Sequence, residues 1–340
     1  MKKRVEWIDI AKFLGIFAIY LGHFGDSAGH AFTFVFAFHV PLFFFLSGCM
    51  SNYDNETNIF RFVWKKFKRI MIPFYIFAIV SIVINTIVNN SEISDIKELL
   101  LVVGKGCTRN TFFAGALWFL SCLFVMEIIF KIIKLTKFKI IIFFISMIFF
   151  LISEFLITPV PIVKPHWIYN LDSMMYYIIF YAIGYCIYPL ILKLFDLNTL
   201  CKKTIFIILL IISTIYMACL FEGVSICYRL SVNHFTNIII EVIQPLIAIL
   251  FVTIISKLLE GVKFIHKIGM ETLYLCGNEY IIKTLFPMFI SLFGLSIVID
   301  NPIKVYIYTF ILIVVNFKIV IPIEKNIIGT LKNKLRDTSK

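Results

Sequence analysis

Charge is what this 340-residue chain has little of: Asp, Glu, Lys and Arg make up only 15% of it, against 61% hydrophobic and 17% aromatic residues. A water-soluble globule of this size needs more polar surface than that, so a soluble fold is excluded. Also missing is any cysteine pattern. Cys49, Cys107, Cys122, Cys186, Cys201, Cys219, Cys227 and Cys276 form no CxxC pair and no Cys/His ligand spacing, which argues against a disulfide framework and against a metal site. There is no internal repeat and no low-complexity segment. The amino terminus, MKKR followed by Glu6, Asp9 and Lys12, breaks its apolar run with charge and lacks a small-residue cleavage site, so a retained first helix is expected instead of a signal peptide. LSGC at Leu46 to Cys49 resembles a lipoprotein processing box, but it follows a whole apolar span and reads as coincidence.

What the chain has is apolar runs of about 18 residues or more, each long enough to cross a bilayer as a helix. They fall near 7–25, 32–50, 70–90, 112–130, 140–158, 171–192, 204–222, 236–256, 270–293 and 302–322. The expectation is an all-α polytopic membrane protein of about ten spans, forming one transmembrane domain over 1–325 with a basic tail at 326–340. The short connections leave no room for a sizeable soluble domain. The net charge of +12 could suggest nucleic acid, but its Lys and Arg residues recur as clusters between apolar runs and form no single basic face. With ten spans, 23 of these cations fall on one side and six on the other (Lys97, Lys105, Arg109, Lys164, Arg229 and Lys304). Both termini are therefore expected in the cytoplasm, with the clusters contacting membrane lipids. On the outer side, 91–111 reads as a helix lying at the interface, and the Pro-rich 157–167 as an extended connection.

The chain is organised around residues 4–50, two spans that carry one lysine and two histidines inside apolar sequence. Ionisable groups at membrane depth are costly, and by default they mark a functional site. Lys12 and His23 are eleven residues apart, three helical turns plus about 20°, so they share a face at about 16.5 Å separation. Asp9 can pair with Lys12 at the cytoplasmic end. Taken alone, Lys12 reads equally well as a lysine snorkelling to the inner interface. His39 lies about two turns inside the second span, before Pro41, and antiparallel packing brings both histidines into the outer half of the membrane. An imidazole can take a proton from a hydroxyl near neutral pH, and a second can orient the first or bind substrate. A buried histidine bonded to a nearby carbonyl is the plainer reading of His39 by itself.

Other polar positions are candidates too. Lys65, Lys66, Lys68 and Arg69 form a basic cluster beside Lys12, suited either to phosphates or simply to topology; Arg69, fixed against Pro73, is the one expected to aim inward. Glu279 and Lys283 are spaced to pair on one helix. Glu154, Asp172, His166 and Glu222 gather near the outer ends with Trp118 and Trp167, where a sugar could meet carboxylates and rings. Aromatics there are ordinarily interfacial belt residues.

Five segments then carry a resemblance. IDIAKFLGIFAIYLGH, FAFHVPLFFFLSG, KFKRIMIPF at 66–74, GALWFLSCLF at 115–124 and IGMETLYL at 268–275 look like successive signatures of the acyltransferase-3 family of integral membrane acyltransferases. NLDSMMYYIIFYAIGY at 170–185 extends the likeness to nearly the whole chain. The resemblance implies an enzyme of the plasma membrane that moves an acyl group, usually acetyl, from cytoplasmic acyl-CoA to a hydroxyl of an extracytoplasmic or lipid-linked sugar. It also implies that Lys12 and His23 are essential, since a basic residue precedes the first-helix histidine by eleven positions in the family. On this reading His23 and His39 are catalytic, Lys12, Arg69 and Lys66 bind acetyl-CoA, and Glu154, Asp172 and Trp118 meet the saccharide. Two departures stand out. Arginine is common in the family where this chain has Lys12, although the sub-group that resembles fucose and enterobacterial-antigen acetylases uses lysine there, and Asn278–Glu279 occupy a segment that often ends in histidine. The competing reading is a transporter or flippase; against it, the sequence shows no repeat between halves and no Gly/Pro-broken helix pair. A membrane sensor using 91–111 is the third reading.

Overall fold

The computed structural model describes residues 4–90, 92–224, 234–327 and 330. Lys2, Lys3, Cys227, Arg229 and most of the expected tail at 326–340 lie outside them. The helices run α1 (Glu6–Gly22), α2 (His30–Phe36), α3 (His39–Ser51), α4 (Ile59–Lys66), α5 (Ile72–Asn89), α6 (Ile93–Gly104), α7 (Trp118–Ile133), α8 (Lys139–Phe155), α9 (Leu171–Phe195), α10 (Leu200–Phe221), α11 (His234–Leu258), α12 (Lys263–Gly269), α13 (Thr272–Gly277), α14 (Glu279–Ser291) and α15 (Pro302–Val315). Among the described residues there is no strand, and the expected all-α membrane architecture holds.

Among the described residues six stretches are long and apolar enough to cross a membrane: His30–Ser51, Ile59–Asn89, Ile168–Phe195, Leu200–Phe221, Thr236–Leu258 and Pro302–Ile327. The other four expected spans fall on α1, α7 and α8, of 17, 16 and 17 residues, and on the segmented stretch from α12 to α14.

Hydropathy conceals two interruptions, which qualify the expectation of unbroken helices. The second span bends between α2 and α3. Pro41 has no N–H to offer the carbonyl of Ala37, and the Val35 carbonyl takes the Phe38 N–H at 3.2 Å instead of a regular helical donor. His39 therefore opens α3 instead of lying two turns inside one helix. The stretch expected at 270–293 is likewise split, with Asn278 and Glu279 at the junction of α13 and α14. At the inner end of α5, Pro73 cannot donate to the carbonyl of Arg69, and Phe67–Met71 form a π-helical turn.

α1 is the hub, packing on α2, α3, α11, α12, α13 and α15. In a bilayer, helices gain little by leaving lipid, so close packing has to hold them. The crossing of α3 and α9 shows how: a Cβ on Gly48 would overlap the Tyr181 carbonyl, and one on Gly184 would overlap that of Phe45. The backbones can meet only because both positions are glycine. Burial falls outward, from 61% of the span at 30–51 to 28% of α10, so α1, α3 and α9 form the interior and α10 faces lipid. Outside, α6 is the expected short helix, capped by Glu92 and Asp95 and exposing Ile93, Leu100 and Leu101.

Candidate active site

α1 carries both ends of the site. At its outer end, His23 closes the helix and its Nδ1 lies 3.1 Å from Oε2 of Glu279. Glu279 is buried at the first position of α14, where the helix dipole favours a carboxylate. Lys283, one turn along, sits 2.7 Å from Oε1, donates to the Tyr20 carbonyl at 2.9 Å and lies 4.1 Å above the Phe24 ring. The expected Glu279–Lys283 pair is thus present, and its carboxylate is what holds His23.

Chemically this sets the roles of the two ring nitrogens. A carboxylate can only accept, so Nδ1 carries a proton, and in the neutral tautomer that this selects Nε2 holds the lone pair. Nε2 faces the loop before α7: a Cβ on Gly115 would lie 3.6 Å from it and 3.5 Å from Cε1. A side chain larger than methyl there would crowd the nitrogen available for proton transfer. Among the described residues no serine or cysteine hydrogen-bonds to His23.

His39 is buried, and its Nδ1 donates to the Val35 carbonyl at 2.7 Å. The helix break frees that carbonyl from regular helical pairing, and the bond again leaves Nε2 as the acceptor. His39 lies within electrostatic reach of His23 and Arg109.

Arg109 was visible in the sequence only as an outer charge; in the structure it ties the outer loops together. Its guanidinium donates to the carbonyls of Pro161 and Ile162 and to the Tyr177 hydroxyl, and it lies 5.2 Å from the Trp118 ring. Trp118, three residues past Gly115, packs against Arg109, Phe119 and Tyr177. Asn170, fully buried, donates to the carbonyls of Gly106 and Trp118 and to Ser121 Oγ. Asp172 is spent on the backbone: it accepts from the N–H groups of His166 at 2.7 Å, Trp167 at 3.1 Å and Ser173 at 2.7 Å. Glu154 makes no hydrogen bond to either histidine among the described residues; it is within electrostatic reach of Glu241, whose Oε2 accepts the Tyr176 hydroxyl at 3.2 Å. Of the three residues expected to meet a sugar, Trp118 lies against Arg109, whose charge reaches His39.

At the inner end Lys12 pairs with Asp9 at 3.1 Å, as expected. Asp9 is shared: Arg4 Nε and His266 Nε2 each lie 3.4 Å from its Oδ2. Several basic groups therefore divide one carboxylate, and the mouth stays net positive. Arg69, exposed on its π-helical turn, is near enough to Lys12 to repel it. Lys66 instead pairs with Glu127 of α7 and lies over Phe62. In the loop between α3 and α4, burial opposes ionisation of Asp54, but the Lys131 ammonium at 3.0 Å and the Glu56 N–H hold its carboxyl below the usual range.

No curated protein matches the chain. No solved structure does either. The acyltransferase-3 family model, described as an acyltransferase domain, matches residues 5–317. A histidine whose carboxylate partner leaves one nitrogen free, set on a helix that reaches a basic mouth, is a constellation suited to acyl transfer, and with that match over nearly its whole length the chain belongs to the acyltransferase-3 family of membrane acyltransferases.

Proposed function

We propose that the protein is an O-acetyltransferase of the plasma membrane that moves acetyl from cytoplasmic acetyl-CoA to a hydroxyl of an extracytoplasmic or lipid-linked saccharide. The observation that carries this reading is the His23–Glu279 contact at 3.1 Å, at the opposite end of α1 from Lys12. A thioester entering from the cytoplasm meets Lys12 and Arg69 with its phosphates and extends along α1 toward His23. Lys66, neutralised by Glu127, braces the mouth instead of contacting the donor.

At the outer end the acceptor hydroxyl gives its proton to Nε2 of His23 as its oxygen attacks the thioester carbonyl. Glu279 steadies the imidazolium that forms, as a carboxylate does for a catalytic histidine elsewhere. Collapse of the tetrahedral adduct expels the thiolate, which takes the proton from Nε2, so the products are the ester and free thiol. His39, with its own Nε2 available, serves the acceptor hydroxyl or the orientation of His23. Trp118 stacks against the sugar ring, while Asp172 holds the loop above it.

The test is transfer of label from acetyl-CoA by the purified protein in proteoliposomes, offered envelope glycans on the outer face. Label in a glycan ester is expected. Turnover absent with every glycan fraction, together with donor-independent flux of a solute, would replace this reading with transport.

A further inference from the structure

Several cytoplasmic lysines are neutralised within the protein: Lys66 by Glu127, Lys131 by Asp54, Lys202 by Asp196 and Lys257 by Glu260. A cavity of about 740 Å³ between α12 and the inner end of the last helix is built differently. Lys263 and Lys267, one turn apart on α12, line it together with Lys318 from the Asn316–Val320 π-helical turn. Among the described residues none of these three has an ion-pair partner. The carboxylate in the lining, Glu271, is already taken by Lys325 at 2.6 Å. His266, between the two α12 lysines, faces Asp9, so the cavity borders the basic mouth around Lys12.

Unpaired lysines scattered over open surface are solvated singly. Lys263, Lys267 and Lys318 are exposed too, but gathered around one cavity they repel one another, and an anion with charge to share among them relieves that repulsion. Phe264, Phe317 and Ile321 add an apolar wall, which an inorganic ion would not use. We propose that this cavity binds a phosphate-bearing polyanion, with Lys263, Lys267 and Lys318 donating to phosphate oxygens and the aromatic wall covering its apolar part. Two molecules at the cytoplasmic face offer that chemistry: the nucleotide end of a coenzyme A thioester, and the headgroup of an anionic phospholipid. The first rests on the acyl-transfer reading given above. The site itself does not.

The experiment uses the full-length protein in nanodiscs of zwitterionic phosphatidylcholine, probed with coenzyme A by equilibrium dialysis and with phosphatidylglycerol by native mass spectrometry. The triple variant Lys263→Gln/Lys267→Gln/Lys318→Gln should weaken one of the two by on the order of a hundredfold. A control that removes the same charge from the same face, Lys193→Gln/Lys202→Gln/Lys203→Gln, should leave both unchanged. Loss confined to coenzyme A supports the site and names the donor as occupant; loss confined to phosphatidylglycerol supports it and names the lipid. Equal binding of both ligands by wild type and triple variant overturns the proposal, as does an equal loss in the control. Should the triple variant misfold, Lys267→Gln and Lys318→Gln singly give the same readout, with Lys267→Arg as the rescue. Binding of phosphatidylglycerol here by a protein that transfers no acyl group would leave the site standing while the donor reading falls.

Discussion

The two ends of α1 treat charge in opposite ways. At the outer end, His23, Glu279 and Lys283 form a closed set in which the buried carboxylate is met from both sides. At the basic end, Asp9 is divided among Arg4, Lys12 and His266, Arg69 has no ion-pair partner among the described residues, and three lysines line an open cavity. A closed set orients a proton-transfer atom, and breaking it leaves a buried charge uncompensated. An excess of cations attracts an anion, and thinning it weakens binding while the fold survives. Damage at the outer end should therefore appear in turnover and stability together, and damage at the inner end in the concentration of donor required.

The largest effect should come from Glu279→Gln, which removes the partner of two groups. We expect kcat to fall about a hundredfold or more and stability to drop by about 3 kcal/mol, because half-buried Lys283 loses its carboxylate and keeps only the Tyr20 carbonyl and the Phe24 ring. Glu279→Gln/Lys283→Met should recover most of the stability and none of the activity, as read by thermal melting and labelled-acetyl transfer. Recovery of both would make the pair a structural brace. Next is Gly115→Val, whose branched side chain crowds Nε2 of His23: acceptor KM should rise and kcat fall about tenfold or more, with Gly115→Ala close to wild type because its methyl makes ordinary contact. Equal losses in the two variants would remove this loop from the site.

Lys12→Ala should raise the KM for acetyl-CoA about tenfold, with a smaller change in kcat and a weaker dependence on salt. Unchanged donor dependence would break the proposed division between the ends. The smallest effect should follow Asp172→Asn, which keeps the shape but weakens charge-assisted bonds to the loop: a loss of about 1–2 kcal/mol in stability with kcat nearly unchanged. A collapse of kcat with the melting temperature intact would return Asp172 to the acceptor site.

Much of this was legible in the sequence, and the failures have physical reasons. Apolar runs disclosed the membrane fold, because lipid imposes its own thickness on a helix. The register of Lys12 and His23 followed from helical geometry, and the pairs Asp9–Lys12 and Glu279–Lys283 from their spacing on one helix. Contacts between distant segments leave no such trace. The approach of Glu279 to His23 spans most of the chain, and nothing local announces it. Arg109 looked like a topology charge because its partners are carbonyls, which every residue has. Asp172 and Glu154 seemed alike as outer carboxylates, yet Asp172 is consumed by backbone N–H groups and Glu154 is within electrostatic reach of Glu241. The breaks before His39 and Glu279 were hidden because each is a local event inside a run that is apolar only on average.

The central claim is that Nε2 of His23 takes the acceptor proton while His39 plays a supporting part. Labelled-acetyl transfer by purified His23→Ala and His39→Ala, each verified as folded by its melting temperature, tests it most directly. The account predicts a loss of about 10²–10⁴-fold for His23→Ala and a markedly smaller one for His39→Ala. Wild-type rates in His23→Ala, or a reversal of the order, would contradict it.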